Sequence, residues 1–211
     1  MSKISNIEVQ KKNKNRANLF VDGEYLISLD IGLVHKMKLK VNDEIDRQKL
    51  VDIIKSDNFE KAKTKALDLL SKSNKSEKKI IEKLSDSFDD KTIDIVIEFL
   101  KSYSFIDDEK YAKMLVKDSQ NVKRVGRNRI KQNLYSKGIS SKEIVSAVSS
   151  IDEELELENA IYLAEKKYKK LKGEEHIKIK NKMFQHLAYK GFDYDVIKSA
   201  IDRVLEKHLK G

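Results

Sequence analysis

Three stretches of this 211-residue chain carry apolar residues at matching intervals, and that repeat narrows the possible folds more than any other feature. They are Ile80, Leu84, Phe88, Ile93, Ile97 and Leu100; Ile130, Leu134, Ile139, Ile144, Val148 and Ile151; and Met183, Leu187, Phe192, Ile197, Ile201 and Val204. Counted from Phe88, Ile139 and Phe192, the later positions fall at +5, +9 and +12 in all three copies, which are offset by 51 and then 53 residues. Lys137-Gly138-Ile139 and Lys190-Gly191-Phe192 mark the same turn, where Gly supplies a left-handed helix cap. The first copy has Ser85-Asp86-Ser87-Phe88 there, one residue shorter and without the Gly, so it must close its turn differently.

Helical spacing also precedes each copy: Ala62, Ala66, Leu69 and Leu70; Tyr111, Ala112, Leu115 and Val116; Ala160, Leu163, Ala164 and Tyr168. Each repeat therefore reads as three helices. The first helices are expected at 58–72, 108–122 and 153–171, the second at 76–86, 127–137 and 175–190, and the third at 89–102, 140–150 and 193–209. The chain has no proline, so helix can run throughout.

The first thirty residues differ. Asn18-Leu19-Phe20-Val21 and Glu24-Tyr25-Leu26-Ile27-Ser28-Leu29 flank Asp22-Gly23, a strong two-residue hairpin signal. With Ile4, Ile7 and Val9 ahead of it, this predicts a three-stranded antiparallel unit over residues 3–29, followed by short helical segments at 30–38 and 46–55. The expected chain is mainly α. An N-terminal β-rich unit (1–55) precedes three tandem three-helix repeats (58–106, 107–151 and 152–211) that stack into an elongated, curved body. Such a body has much surface for its volume, which suits 37% charged against 39% hydrophobic residues.

The 44 Lys and Arg exceed the 35 Asp and Glu by nine, which suggests an anionic partner. The excess is segregated. Second helices are basic: residues 126–137 and 176–190 each carry net +4 with no acid, and residues 75–84 carry +2. Third helices are neutral to acidic. Lys79, Arg129 and Lys182 each precede the first core position of their second helix, so a cation recurs in register and could track an array of phosphates or carboxylates. A solvated helix flank also collects lysine, and it is the helix-specific segregation that favours function. Lys123 to Arg129 lies where a loop meets a helix N-terminus, and basic residues there oppose the helix dipole. That argues for binding by Arg124, Arg127 and Arg129 over a structural role, since arginine makes bidentate contacts that lysine cannot. The candidate binding residues are Lys79, Lys123, Arg124, Arg127, Arg129, Lys131, Lys137, Lys178, Lys180, Lys182 and Lys190.

Catalytic signatures are lacking. There is no cysteine and no Gly-rich phosphate loop. His35, His176, His186 and His208 have no partner at metal-ligand spacing. Asp107-Asp108-Glu109 reads as a helix start, capped and charged by acids, before it reads as a metal or acid/base site. The helix at 140–150, which would read bases in a helix-turn-helix, is nearly uncharged, so a sequence-specific DNA reader is disfavoured. Tyr103, Tyr135, Tyr162 and Tyr189 are candidates for stacking on bases and equally for the core edge. The start, Met1-Ser2-Lys3-Ile4, lacks a signal-peptide core, and no apolar run approaches the roughly 20 residues that span a bilayer. The expectation is a cytoplasmic binding protein with no cofactor, metal or membrane.

Several elements resemble the RecX family of recombination regulators: Ala66-Leu67-Asp68-Leu69-Leu70-Ser71 with Ser76-Glu77; Phe105-Ile106-Asp107-Asp108-Glu109-Lys110-Tyr111-Ala112; Gly126-x-x-x-Ile130-x-x-x-Leu134-x-x-Lys137-Gly138-Ile139; and Lys190-Gly191-Phe192. The departures are the Gly-less turn before Phe88 and Ser73-Asn74-Lys75, where an Arg commonly sits. The resemblance implies a non-catalytic modulator of the RecA recombinase that binds in the groove of the RecA–DNA filament, and the chain is expected to act as a monomer. It would inhibit ATPase and strand exchange, or destabilise the filament, and so regulate homologous recombination, DNA repair and the SOS response. The alternative is a protein that binds single- or double-stranded DNA directly, without RecA.

Overall fold

The computed structural model describes residues 2–171 and 173–209. Contacts divide the chain into two compact units, residues 1–73 with 80–105, and residues 74–79 with 106–211.

In the first unit, β1 (Ser2–Val9), β2 (Arg16–Val21) and β3 (Glu24–Asp30) form the expected antiparallel meander. Asp22 and Gly23 turn its second hairpin at φ 51° and 87°, the left-handed pair that a two-residue turn requires. A further strand, β4 (Glu44–Ile45), pairs with Ser2 and Lys3, giving the order β3-β2-β1-β4. Two residues are too short a run to show alternation, so this strand left no sequence signal. Ile4, Leu19 and Leu29 form one core with Leu33 and Val34 of α1 (Ile31–Lys36) and with Ile53.

The helical segments expected at 46–55 and 58–72 are one helix, α2 (Arg47–Lys72), capped by Asp46. Ser56-Asp57-Asn58 resembles a break because short polar side chains compete with the helix backbone. Asp57 is instead fully buried. It accepts the Asp30 N–H at 3.0 Å and pairs with Lys61 at 2.6 Å and Arg16 at 3.5 Å. That network outweighs an intrinsic helix cost below about 0.7 kcal/mol. The later part of α2 joins α3 (Glu77–Leu84) and α4 (Asp90–Ser102) in the first three-helix repeat. The fully buried Ala62 and Ala66 allow α4 a close approach to α2. The Gly-less turn closes by two bonds to one carbonyl: Ser87 and Phe88 N–H both donate to Leu84 O.

The second unit holds α5 (Asp108–Asp118), a π turn at Ser119–Lys123, α6 (Arg127–Ser136) and α7 (Ser141–Ser149), then α8 (Glu153–Lys170), α9 (His176–Tyr189) and α10 (Tyr194–Leu209). The middle core gathers Leu115, Ile130, Leu134, Ile139 and Ile144, and the last gathers Ala160, Met183, Leu187, Phe192, Ile197 and Ile201. These are the repeat positions of the sequence. The two Lys-Gly turns close alike. Ile139 N–H donates to Leu134 O, and Phe192 N–H to Leu187 O, each at 3.2 Å, with Gly138 at φ 81° and Gly191 at φ 87°.

The first helix of the middle repeat was expected to reach residue 122 but becomes a π turn at Ser119. The cause is a buried polar cluster. Gln120 donates to Asp152 O at 3.0 Å, and Asn159 donates to Gln120 O at 2.9 Å. The widened turn leaves the Gln120 carbonyl to accept from Asn159 of the next repeat.

Candidate functional site

Two of the second helices, α6 and α3, start in a shared way. Gly126 N–H donates to Lys190 O and Asn128 N–H to Gly191 O, both at 3.0 Å, so the start of α6 rests on the α9–α10 turn. A Cβ at Gly126 would overlap Gly191 and Phe192, and one at Gly191 would overlap Arg129. Both glycines therefore serve a backbone-to-backbone approach, beyond the cap conformation alone. The start of α3 repeats the device within the second unit: Ser76 Oγ donates to Lys137 O at 2.5 Å, and Glu77 N–H to Asp108 at 2.9 Å.

The last bond has a counterpart that corrects the reading of Arg127. Its N–H donates to Glu156 Oε1 at 2.7 Å, and Nε and Nη2 donate to Glu156 Oε2 at 3.0 and 2.8 Å. Glu153 lies at 3.3 Å and Asp193 at 3.5 Å. The hydrogen bond that the guanidinium donates to Glu156, foremost, holds it in its charged form. The Glu156 side chain is 1% exposed, so this fork is committed to the interior of the second unit. The dipole cost at the α6 N-terminus is offset by a buried carboxylate from α8, a structural benefit that local sequence could not reveal.

The other candidate residues separate into groups. Arg129 is exposed, and among the described residues its side chain donates to Gln132 Oε1 at 3.4 Å. It lines a cleft of about 460 Å³ together with Ser119, Lys123, Val125, Gln132, Asn133 and Ser136. Lys123 pairs with Asp118 at the rim. Arg124, at φ 50°, lies 3.9 Å from the centre of the Tyr162 ring, which takes Tyr162 out of the set of free stacking platforms. Lys131 lies about 160° around α6 from Arg129 and so shares no face with it. Lys137 is exposed at the helix end. Neither Lys131 nor Lys137 has a carboxylate partner among the described residues.

On α9, acids answer most cations: Lys178 meets Glu175 at 3.0 Å, Lys180 meets Asp202 at 3.9 Å, and Lys182 meets Glu174 at 2.5 Å. Lys79, on α3, is half-buried. The three in-register cations thus differ in setting, and Arg129 is the exposed one that meets no carboxylate among the described residues. Lys190 joins Leu163, Lys166, Lys167, Lys170 and His186 around a cleft of about 220 Å³ between α8 and α9. Counting charge on second helices alone missed the lysines of α8.

Asp107, Asp108 and Glu109 diverge. Asp107 caps α5 through Lys110 N–H at 2.8 Å, Asp108 accepts from Glu77, and Glu109 pairs with Lys113 at 2.5 Å. Tyr103 packs on Phe99, with ring centres 4.7 Å apart, while Tyr135 and Tyr189 are 58% and 75% exposed.

Four family models match along the chain: the Regulatory protein RecX N-terminal domain at residues 2–46, and the first, second and third RecX three-helix domains at 62–100, 107–148 and 153–201. The regulatory protein RecX of Clostridioides difficile (strain 630) is 46% identical over 205 residues, covering 97% of each chain. That of Clostridium perfringens (strain 13 / Type A) is 42% identical over 207 residues, again covering 97% of each. A crystal structure of regulatory protein RecX matches with TM-score 0.75 and 29% identity, over 96% of this chain and 100% of the other. A crystal structure of RecX from Lactobacillus salivarius matches with TM-score 0.67 and 30% identity, over 71% of this chain and 97% of the other.

Proposed function

The chain belongs to the RecX family of regulatory proteins, and from that premise we propose that it regulates the RecA recombinase by binding the RecA–DNA filament and inhibiting ATP hydrolysis and strand exchange. The observation that carries this reading is the near-complete match to relatives named as regulatory proteins, with all four family domains in order. The chemistry of the surface is compatible with it. A filament groove offers phosphate and acidic side chains together, and Arg129, Lys131, Lys137 and Lys190 are cations without carboxylate partners among the described residues. Arg129 is the leading contact because its planar fork suits phosphate or carboxylate. Arg127 acts beneath it by holding the start of α6 in place. Lys178, Lys180 and Lys182 would contribute only by exchanging their present carboxylates for the partner's. No residue is assigned a catalytic role, and regulation follows from occupying the groove.

Co-sedimentation tests the reading. The chain should pellet with RecA filaments formed on single-stranded DNA. Recovery in the supernatant at micromolar concentration and low salt would defeat it. The α8–α9 lysines favour a second reading, direct DNA binding without RecA, in which bare single-stranded DNA shifts as readily as the filament binds.

A further inference from the structure

Leu163, Lys166, Lys167 and Lys170 fall at i, i+3, i+4 and i+7 and form one stripe of α8. His186 and Lys190 face them from α9 across the cleft of about 220 Å³. No carboxylate lines this cleft, and its four lysines have no carboxylate partner among the described residues. Acids are not scarce nearby. Lys169 on the same helix meets Glu165 at 3.9 Å, Lys178 and Lys182 on α9 are paired, and Glu165 also takes Lys207 at 2.7 Å. Both helices end here, so their dipoles bring roughly half a negative charge each. Four ammonium groups exceed that by about three charges. His186 responds to the same field: burial first, then Lys167, Lys190 and Lys170, disfavour its protonation.

A positive cleft held without a counter-charge of its own fits a ligand that supplies one. The cleft is smaller than the ~300–1,000 Å³ typical of sites for whole organic molecules, so it suits a compact charged group. Lysines approach such a group as flexible point charges, and neutral imidazole adds one hydrogen-bond donor.

We propose that the α8–α9 cleft is a phosphate-binding site that takes a phosphoryl group, either of a nucleic-acid backbone or of a free anion. It rests on the filament reading only for the first of these sources. The test uses the full chain with labelled histidine and follows the His186 imidazole by NMR. Inorganic phosphate is titrated against sodium chloride of equal ionic strength. A saturable, phosphate-specific shift of the His186 signal is expected, and Lys167→Gln/Lys170→Gln should weaken it by roughly tenfold or more. A His186 signal that responds to phosphate no more than to chloride, or equally in both proteins, overturns the site. Lys170→Gln alone, at an exposed position, serves if the double variant unfolds. A parallel titration with oligothymidylate separates the sources: saturation at lower phosphate concentration than the free anion assigns the backbone, and a response to inorganic phosphate alone assigns the free anion. RecA is absent from the assay, so failure here leaves the filament reading standing, and failure to bind filaments leaves this site standing.

Discussion

Arg127 on α6 and Glu156 on α8 are joined by three hydrogen bonds, one from the backbone and two from the guanidinium. The carboxylate is almost fully enclosed while the arginine is 27% exposed. Removing the cation strands a buried charge. Arg127→Ala should therefore lower stability by about 2–3 kcal/mol, below the 3–5 kcal/mol of a fully buried pair because solvent reaches the arginine. Arg129→Ala, two residues away, should change it by less than about 0.5 kcal/mol. Urea unfolding of both variants decides whether the two arginines have separate duties.

Gly191 and Gly173 both hold positive φ, at 87° and 100°, yet only Gly191 has backbone against the place a Cβ would take. Gly191→Ala should cost about 2–4 kcal/mol, adding overlap to conformational strain, and Gly173→Ala only about 1–2 kcal/mol. Thermal unfolding of the pair separates the two costs. Equal losses would mean that the approach of α6 to the α9–α10 turn contributes nothing.

How much of this could be read from residues alone follows from distance along the chain. Asp22-Gly23 and the Lys-Gly turns are local, and the spacing of Ile130, Leu134 and Ile139 is fixed by helix geometry, so hairpin, turns and repeats were legible. Asp57 misled because its partners Asp30 and Arg16 lie 27 and 41 residues away in sequence. Arg127 misled for the same reason, with Glu156 29 residues on. The lysine stripe of α8 did show helical spacing, but its meaning depends on His186 and Lys190 arriving from another helix.

His186 makes stability depend on pH. Its pKa in the folded chain lies below the ordinary value, through burial and then Lys167, Lys190 and Lys170, with Lys166 also lining the cleft. The unfolded chain therefore binds the proton more readily, and this contribution is complete above about pH 6.5 and lost as the pH falls below it. Between about pH 7 and pH 5.5, the Tm of the wild type should fall further than that of His186→Gln. Parallel curves would remove His186 as the cause.

Direct contact with DNA should show in salt dependence. Each phosphate neutralised on a single strand contributes about −0.7 to the slope of log affinity against log salt. Neutralising Arg129 and Lys137 together should make the slope shallower by about 1.4 if both meet phosphate. Fluorescence anisotropy over a salt series measures this, and an unchanged slope would place these cations against protein instead.

The most direct measurement of the central claim is ATP hydrolysis by RecA on single-stranded DNA, titrated with the wild-type chain and with Arg129→Ala. Saturable inhibition by the wild type is predicted, with roughly tenfold more Arg129→Ala needed for the same effect. Unaltered hydrolysis at saturating wild-type protein would contradict the assignment of this chain as a filament regulator.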